Sequence, residues 1–171
     1  YYKSIVDTNT KTPISYGLNS RMEKDAEGNL VENVYKSGGL YGAAIDKVVY
    51  WLEKAAGVAE NKAQGDALLL LVDYYKTGDL LKWDEYNIAW TKATEGDIDY
   101  IQGFVEVYND PKGYRGSYES IVQIKDFENS ERMKMLMDNV QWFEDNSSIT
   151  VSYTHLRAHE TLMNLVCRLL L

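Results

Sequence analysis

Residues Asp97 to Ile124 read DIDYIQGFVEVYNDPKGYRGSYESIVQI, an extended-chain alternation on either side of a turn, and this stretch decides the reading of the fold. Tyr100, Gln102, Phe104, Glu106 and Tyr108 fall on one face of the first strand, and Ile101, Gly103, Val105 and Val107 on the other. Both faces carry large apolar groups, so the strand is expected to place ionisable residues on a covered face. Asn109-Asp110-Pro111-Lys112-Gly113 is a five-residue connection with a proline to fix φ and a glycine to accept positive φ. Tyr114 to Ile124 then resumes the β-prone pattern, which predicts an antiparallel hairpin over about 98–124. Glu106 and Tyr108 project to the same side, roughly 7 Å apart for a rise of about 3.3 Å per residue.

Those two side chains suit different tasks. A partly covered Glu pairs with an ammonium group, and a Tyr hydroxyl donates to a carbonyl oxygen that turns negative during acyl transfer. The same spacing also suits a Glu facing solvent and a Tyr packing a sheet edge, so spacing leaves both readings open. A hairpin strand at the edge of a small sheet can also take up an extended peptide by main-chain pairing, which reads backbone and implies broad specificity.

Upstream of the hairpin the pattern turns helical. Gly39 to Gly57 carries Leu40, Ile45, Val48, Val49 and Leu52 at helical spacing, and Glu60 to Lys76 carries Leu68 to Val72 and Tyr75. Leu80 to Lys92 carries Trp83, Tyr86, Ile88 and Trp90, stripes that read as core. Residues 1–20 read as an extended lead-in, and Met22 to Val34 as a short hairpin or loop around Glu27-Gly28-Asn29. Downstream, Ser130 is expected to cap a helix through Met133, Leu136, Met137, Val140, Trp142 and Phe143, with Glu131 in its first turn. The fold class is α+β, mostly helical with a small antiparallel sheet, and no repeat or low-complexity linker interrupts residues 1–148.

A formal net charge of −8 argues against nucleic acid as a partner, because phosphates demand a basic face. No run of about 18 apolar residues is present to cross a membrane, so no membrane partner is expected. The single cysteine, Cys167, cannot close an internal disulfide. The composition is that of a soluble domain, with the cytoplasm as the expected compartment.

The run Gly103 to Gly116, GFVEVYNDPKGYRG, resembles the segment of the dipeptidyl peptidase III family that reads Gly-Phe-Ile-Glu-Ser-Tyr-x-Asp-Pro-x-Gly-x-Arg-Gly. The resemblance extends to Ile14-Ser15-Tyr16-Gly17-Leu18-Asn19-Ser20-Arg21 and to the Trp-rich stretch Trp83 to Thr94; it covers roughly residues 1–148 and is nearest the bacterial branch. It implies a fragment of the substrate-binding lobe of a two-lobed zinc exopeptidase that removes dipeptides from peptides with a free N-terminus. On that reading Glu106 holds the substrate's ammonium and Tyr108 hydrogen-bonds the scissile carbonyl, with Arg115 and Glu119 as supporting candidates. The family's zinc helix, His-Glu-x-x-Gly-His, and its later Glu-rich helix do not occur in these residues. The chain is therefore expected to be an internal piece, inactive alone, with zinc belonging to the intact enzyme and none bound here. The rival expectation is a non-catalytic helical domain that binds a peptide or protein.

His155 and His159 stand four apart, on one face of any helix formed there. Leu156 occupies the position after the first His where a zinc protease places its Glu, and two imidazoles without a third ligand bind zinc weakly. No metal site is assigned to them. Residues 149–171 depart from the family pattern and resemble translated sequencing adaptor, closing in Leu165-Val166-Cys167-Arg168-Leu169-Leu170-Leu171 without a cap or turn. Such a segment has no complementary groove on the core. Removing it is expected to leave the thermal unfolding midpoint within about a degree, whereas losing a docked helix that buries several leucines would lower it by many degrees. Scanning residues 1–149 against the whole chain distinguishes the two.

Overall fold

The computed structural model describes residues 1–7, 9–11, 13–146 and 148. In chain order its elements are α1 (Tyr2–Ile5), β1 (Ser20–Lys24), β2 (Leu30–Val34), α2 (Gly42–Ala56), α3 (Lys62–Thr77), α4 (Leu80–Lys92), β3 (Ile98–Glu106), β4 (Ser117–Ile124), α5 (Phe127–Asp138) and α6 (Val140–Asp145). This is the α+β class expected, with two separate two-stranded sheets, β1-β2 and β3-β4. The residues fall into two compact units where the sequence reading had one, Tyr1–Glu95 with Ile101–Ile121, and Gly96–Tyr100 with the described residues from Val122 onward. No described helix is long and apolar enough to cross a membrane.

In the first unit the core forms on α3. Ala67, Leu68, Leu71, Val72 and Tyr75 recur at helical spacing and are buried, and Leu71, Tyr74 and Tyr75 expose none of their surface. α2 packs on one side of α3 through Ile45, Val49 and Leu52, and α4 packs on the other through Leu80 and Tyr86. Asn61 caps α3 by accepting the Gln64 N–H at 2.9 Å, and Gly78 closes it in the left-handed region at φ 73°. Asp79 caps α4 by accepting the Leu81 N–H at 2.9 Å. Trp83 of α4 stacks on Tyr74 at 5.0 Å and on Tyr86 at 5.3 Å, extending the core toward β3.

The first hairpin pairs Ser20 with Val34 through to Lys24 with Leu30. Its turn is held by Asp25, whose carboxylate accepts the N–H groups of Glu27 at 3.0 Å and Asn29 at 2.7 Å. Just before it, Leu18, Asn19 and Ser20 form a buried strut. Asn19 accepts the Tyr35 N–H at 2.7 Å and donates from Nδ2 to the Gly78 carbonyl at 3.0 Å, while the Leu18 carbonyl accepts the Gly116 N–H at 2.7 Å. The lead-in is not wholly extended: Tyr2–Ile5 makes one helical turn, and the Tyr2 ring lies against Gly17.

In the second hairpin Gly103 and Phe104 are buried, Phe104 stacking on Tyr35 at 4.9 Å. The connection runs from Val107 to Gly116, wider than the expected Asn109–Gly113, because β3 ends at Glu106 and β4 starts only at Ser117.

In the second unit Lys125 pairs with Asp97, with Nζ to carboxylate at 3.4 Å and backbone N–H to carbonyl at 2.8 Å. The cap of the following helix is Asp126, which accepts the Asn129 N–H at 3.0 Å, with Glu128 in the first turn. Ser130 therefore sits inside α5 and Glu131 beyond its first turn, because the earlier Asp offers an acceptor at N-cap spacing first. α5 and α6 bury no residue, and Trp142 and Phe143 remain 60% and 51% exposed.

Gly103 is held at φ 156°, and a Cβ there would collide with the Trp83 ring. Gly103→Ala is expected to lower unfolding free energy by about 1–3 kcal/mol, the range of overpacking in a filled core. Chemical denaturation measures this, and an unchanged midpoint would show that Trp83 moves aside freely.

Candidate functional site

β3 carries the candidate residues outward from the core. Its burial stops after Phe104, since Trp83 and Tyr35 pack only that far, and Val105 is half-buried and Glu106 exposed. Tyr108 lies beyond the strand and is 75% exposed. Within this chain the face expected to be covered is therefore covered at Phe104 and open at Glu106 and Tyr108. A carboxylate at the end of β3 and a phenol in the loop that follows are thus both accessible to a ligand.

Asp110 organises the loop that follows. Its N–H donates to the Val107 carbonyl at 3.0 Å and its own carbonyl accepts the Gly113 N–H at 2.9 Å. Its carboxylate accepts the N–H groups of Lys112 at 3.2 Å and Tyr114 at 3.1 Å. These backbone donors, Tyr114 first, hold the Asp110 carboxyl below the usual carboxylate range. Arg115 stands 3.9 Å from the same carboxylate. Asn109 Nδ2 donates to the Ser117 hydroxyl at 3.2 Å, tying the loop to the start of β4.

Glu119 is half-buried on β4, and on the same strand the Tyr118 hydroxyl accepts from Gln102 Nε2 at 2.9 Å. Arg115 joins a cleft of about 740 Å³ that the sequence reading did not find. Arg21 of β1, Tyr2, Asp110, Lys112 and Tyr114 line it as well. Asp110 has a local signal, the Asn-Asp-Pro-Lys-Gly turn signature, which marks it as an Asx acceptor. Arg21 and Tyr2 have none, since only the tertiary fold brings them to the hairpin loop.

Among the described residues no group of three or more His, Cys, Asp or Glu side chains is placed to hold a metal ion. His155, His159 and Cys167 lie outside the described residues.

With this geometry in place, comparison with known proteins is informative. The profile of peptidase family M49 matches residues 11–145, a span that includes β1, β2, the three helices α2 to α4 and the second hairpin. Dipeptidyl peptidase 3 of Homo sapiens is 27% identical over 128 residues, covering 69% of this chain and 17% of its own length. The Rattus norvegicus protein of the same name is 26% identical over 159 residues, covering 86% of this chain and 21% of its own. The chain thus spans about a fifth of the length of the curated relatives it matches. Among solved structures, DPP III from Caldithrix abyssi shares the fold with a TM-score of 0.60 at 22% identity, over 77% of this chain and 24% of that one. Matched over most of its length by the family profile, the chain belongs to peptidase family M49.

Proposed function

We propose that this chain is the substrate-binding part of a zinc-dependent dipeptidyl peptidase that removes dipeptides from peptides with a free N-terminus. One observation carries the reading: the family match runs through Gly103 to Gly116, and within that run Glu106 and Tyr108 stand exposed together at the end of β3. Glu106 offers a carboxylate to the substrate ammonium. Tyr108 offers a hydroxyl to the carbonyl of the scissile bond, where negative charge develops as the bond is attacked. A hydroxyl contact that strengthens as charge develops lowers the barrier, whereas the ammonium contact holds the peptide in register. Arg115, linked to the loop through Asp110, supports the position of Tyr108.

The described residues do not fit zinc, having no cluster able to ligate it, and no step is assigned to the metal here. The exposed edges of the β3-β4 ribbon also suit an extended peptide that pairs by its main chain, which would make the selection broad in side-chain sequence.

In the intact protein, Tyr108→Phe is expected to lower kcat by roughly tenfold to a thousandfold, the range for losing one oxyanion-type donor. Stability should stay unchanged because Tyr108 is mostly exposed. Dipeptide release from a chromogenic peptide is the assay, and an unaltered kcat removes Tyr108 from the reaction. Glu106→Gln is expected instead to raise KM for peptides with a free N-terminus by about tenfold or more, the scale of one charge-assisted contact. Competition by N-acetylated peptides is the control: equal weakening of acetylated and free peptides would show that Glu106 does not read the ammonium.

A further inference from the structure

Two guanidinium groups, Arg21 and Arg115, line the cleft beside the hairpin loop. Burial raises the Tyr35 phenol above its ordinary range, and the nearby positive charges of Arg115 and Arg21 both pull it back down. Both cations therefore act on one neutral partner. Arg115 has five donors, yet its carboxylate partner Asp110 lies at 3.9 Å, beyond the roughly 2.7–2.9 Å of a charge-assisted hydrogen bond. Asp110 Oδ2 is meanwhile engaged by the N–H groups of Lys112 and Tyr114. Arg21 pairs through Nη2 with Glu23, but its Nε is buried with no acceptor among the described residues. Lys3 and Lys112 line the same cleft, and neither ammonium pairs with a described carboxylate.

The cleft is also large for a bare inorganic ion. Its volume of about 740 Å³ lies in the range of roughly 300–1,000 Å³ that holds organic ligands. Its walls include Leu30 and the rings of Tyr2 and Tyr114, stacked on each other at 5.3 Å, which suit the carbon of a side chain next to a charge.

We propose that this cleft binds an acidic peptide segment, its carboxylate held between Arg21 and Arg115 with Lys112 at the rim. A peptide as the ligand class rests on the reading under Proposed function, but the site uses neither Glu106 nor Tyr108. An acidic segment would thereby be favoured over a neutral one by a group other than those that hold the N-terminus.

Calorimetric titration of the whole chain tests this with a short peptide, N-acetylated and C-amidated, that carries two adjacent glutamates, against its glutamine counterpart. Capping removes the ammonium that Glu106 would hold, so failure here and failure of the peptidase reading are separate results. The glutamate peptide is expected to bind at least about tenfold more tightly, a preference that shrinks at about 0.5 M salt, where exposed charges are screened. Arg115→Gln and the rim substitution Lys112→Gln should each erode the preference, with circular dichroism confirming the fold. The peptide comparison on the unaltered chain needs no variant at all. Equal affinity for the two peptides, or binding of neither, overturns the proposal. Inorganic phosphate that binds as tightly as the glutamate peptide and displaces it would reassign the cleft to phosphate and also overturns it.

Discussion

The indole of Trp83 lies over the bare Cα of Gly103, and through that contact the helical layer grips the hairpin. A flat aromatic surface can approach backbone this closely only where no Cβ intervenes. On one side Trp83 stacks on Tyr74 and Tyr86, so its position is fixed by the fully buried centre of α3. On the other, Gly103 is next to Phe104, whose burial against Tyr35 fixes the face that β3 presents. Two residues further along, the strand leaves the protection of that layer. The exposure of Glu106 is thus a consequence of where the aromatic packing stops.

Beyond the strand, shape is set by a different force. The loop from Val107 to Gly116 has no hydrophobic centre and is organised by the Asp110 carboxylate, which accepts the backbone N–H groups of Lys112 and Tyr114. Asp25 does the same for the turn of the first hairpin. Because a carboxylate satisfies amide groups that would otherwise need water, each loop holds its form while remaining at the surface. An exposed Tyr108 on such a loop keeps a defined approach without being packed. That combination suits a residue whose partner is a ligand.

The helices were the most legible part of the sequence. α4 runs from Leu80 to Lys92, the limits its aromatic spacing predicts, because Asp79 caps it and its stripe meets α3. α3 was legible for the same reason, with Asn61 and Gly78 marking its ends. α5 begins ahead of Ser130 because Asp126 offers an N-cap acceptor first, and two acceptors so close together leave the start ambiguous in the sequence. The turn was read too short because a proline and a glycine signal a bend but not the reach of the Asp110 side chain. For the site, Glu106 and Tyr108 were accessible through the local run that carries the family pattern. Arg21 closes the upstream run of that pattern, but the sequence does not indicate that folding sets it in one cleft with Arg115.

The strut Leu18–Ser20 constrains the order in which this molecule can be completed. Its Asn19 pairs with the Tyr35 N–H and with the Gly78 carbonyl at the end of α3, and its Leu18 carbonyl accepts from Gly116 at the far side of the second hairpin. In chain order, therefore, the Leu18 contact can close only when the second hairpin has been made, after every helix of the core. Until then the Leu18 carbonyl must remain with water, which keeps this edge of the core open during assembly.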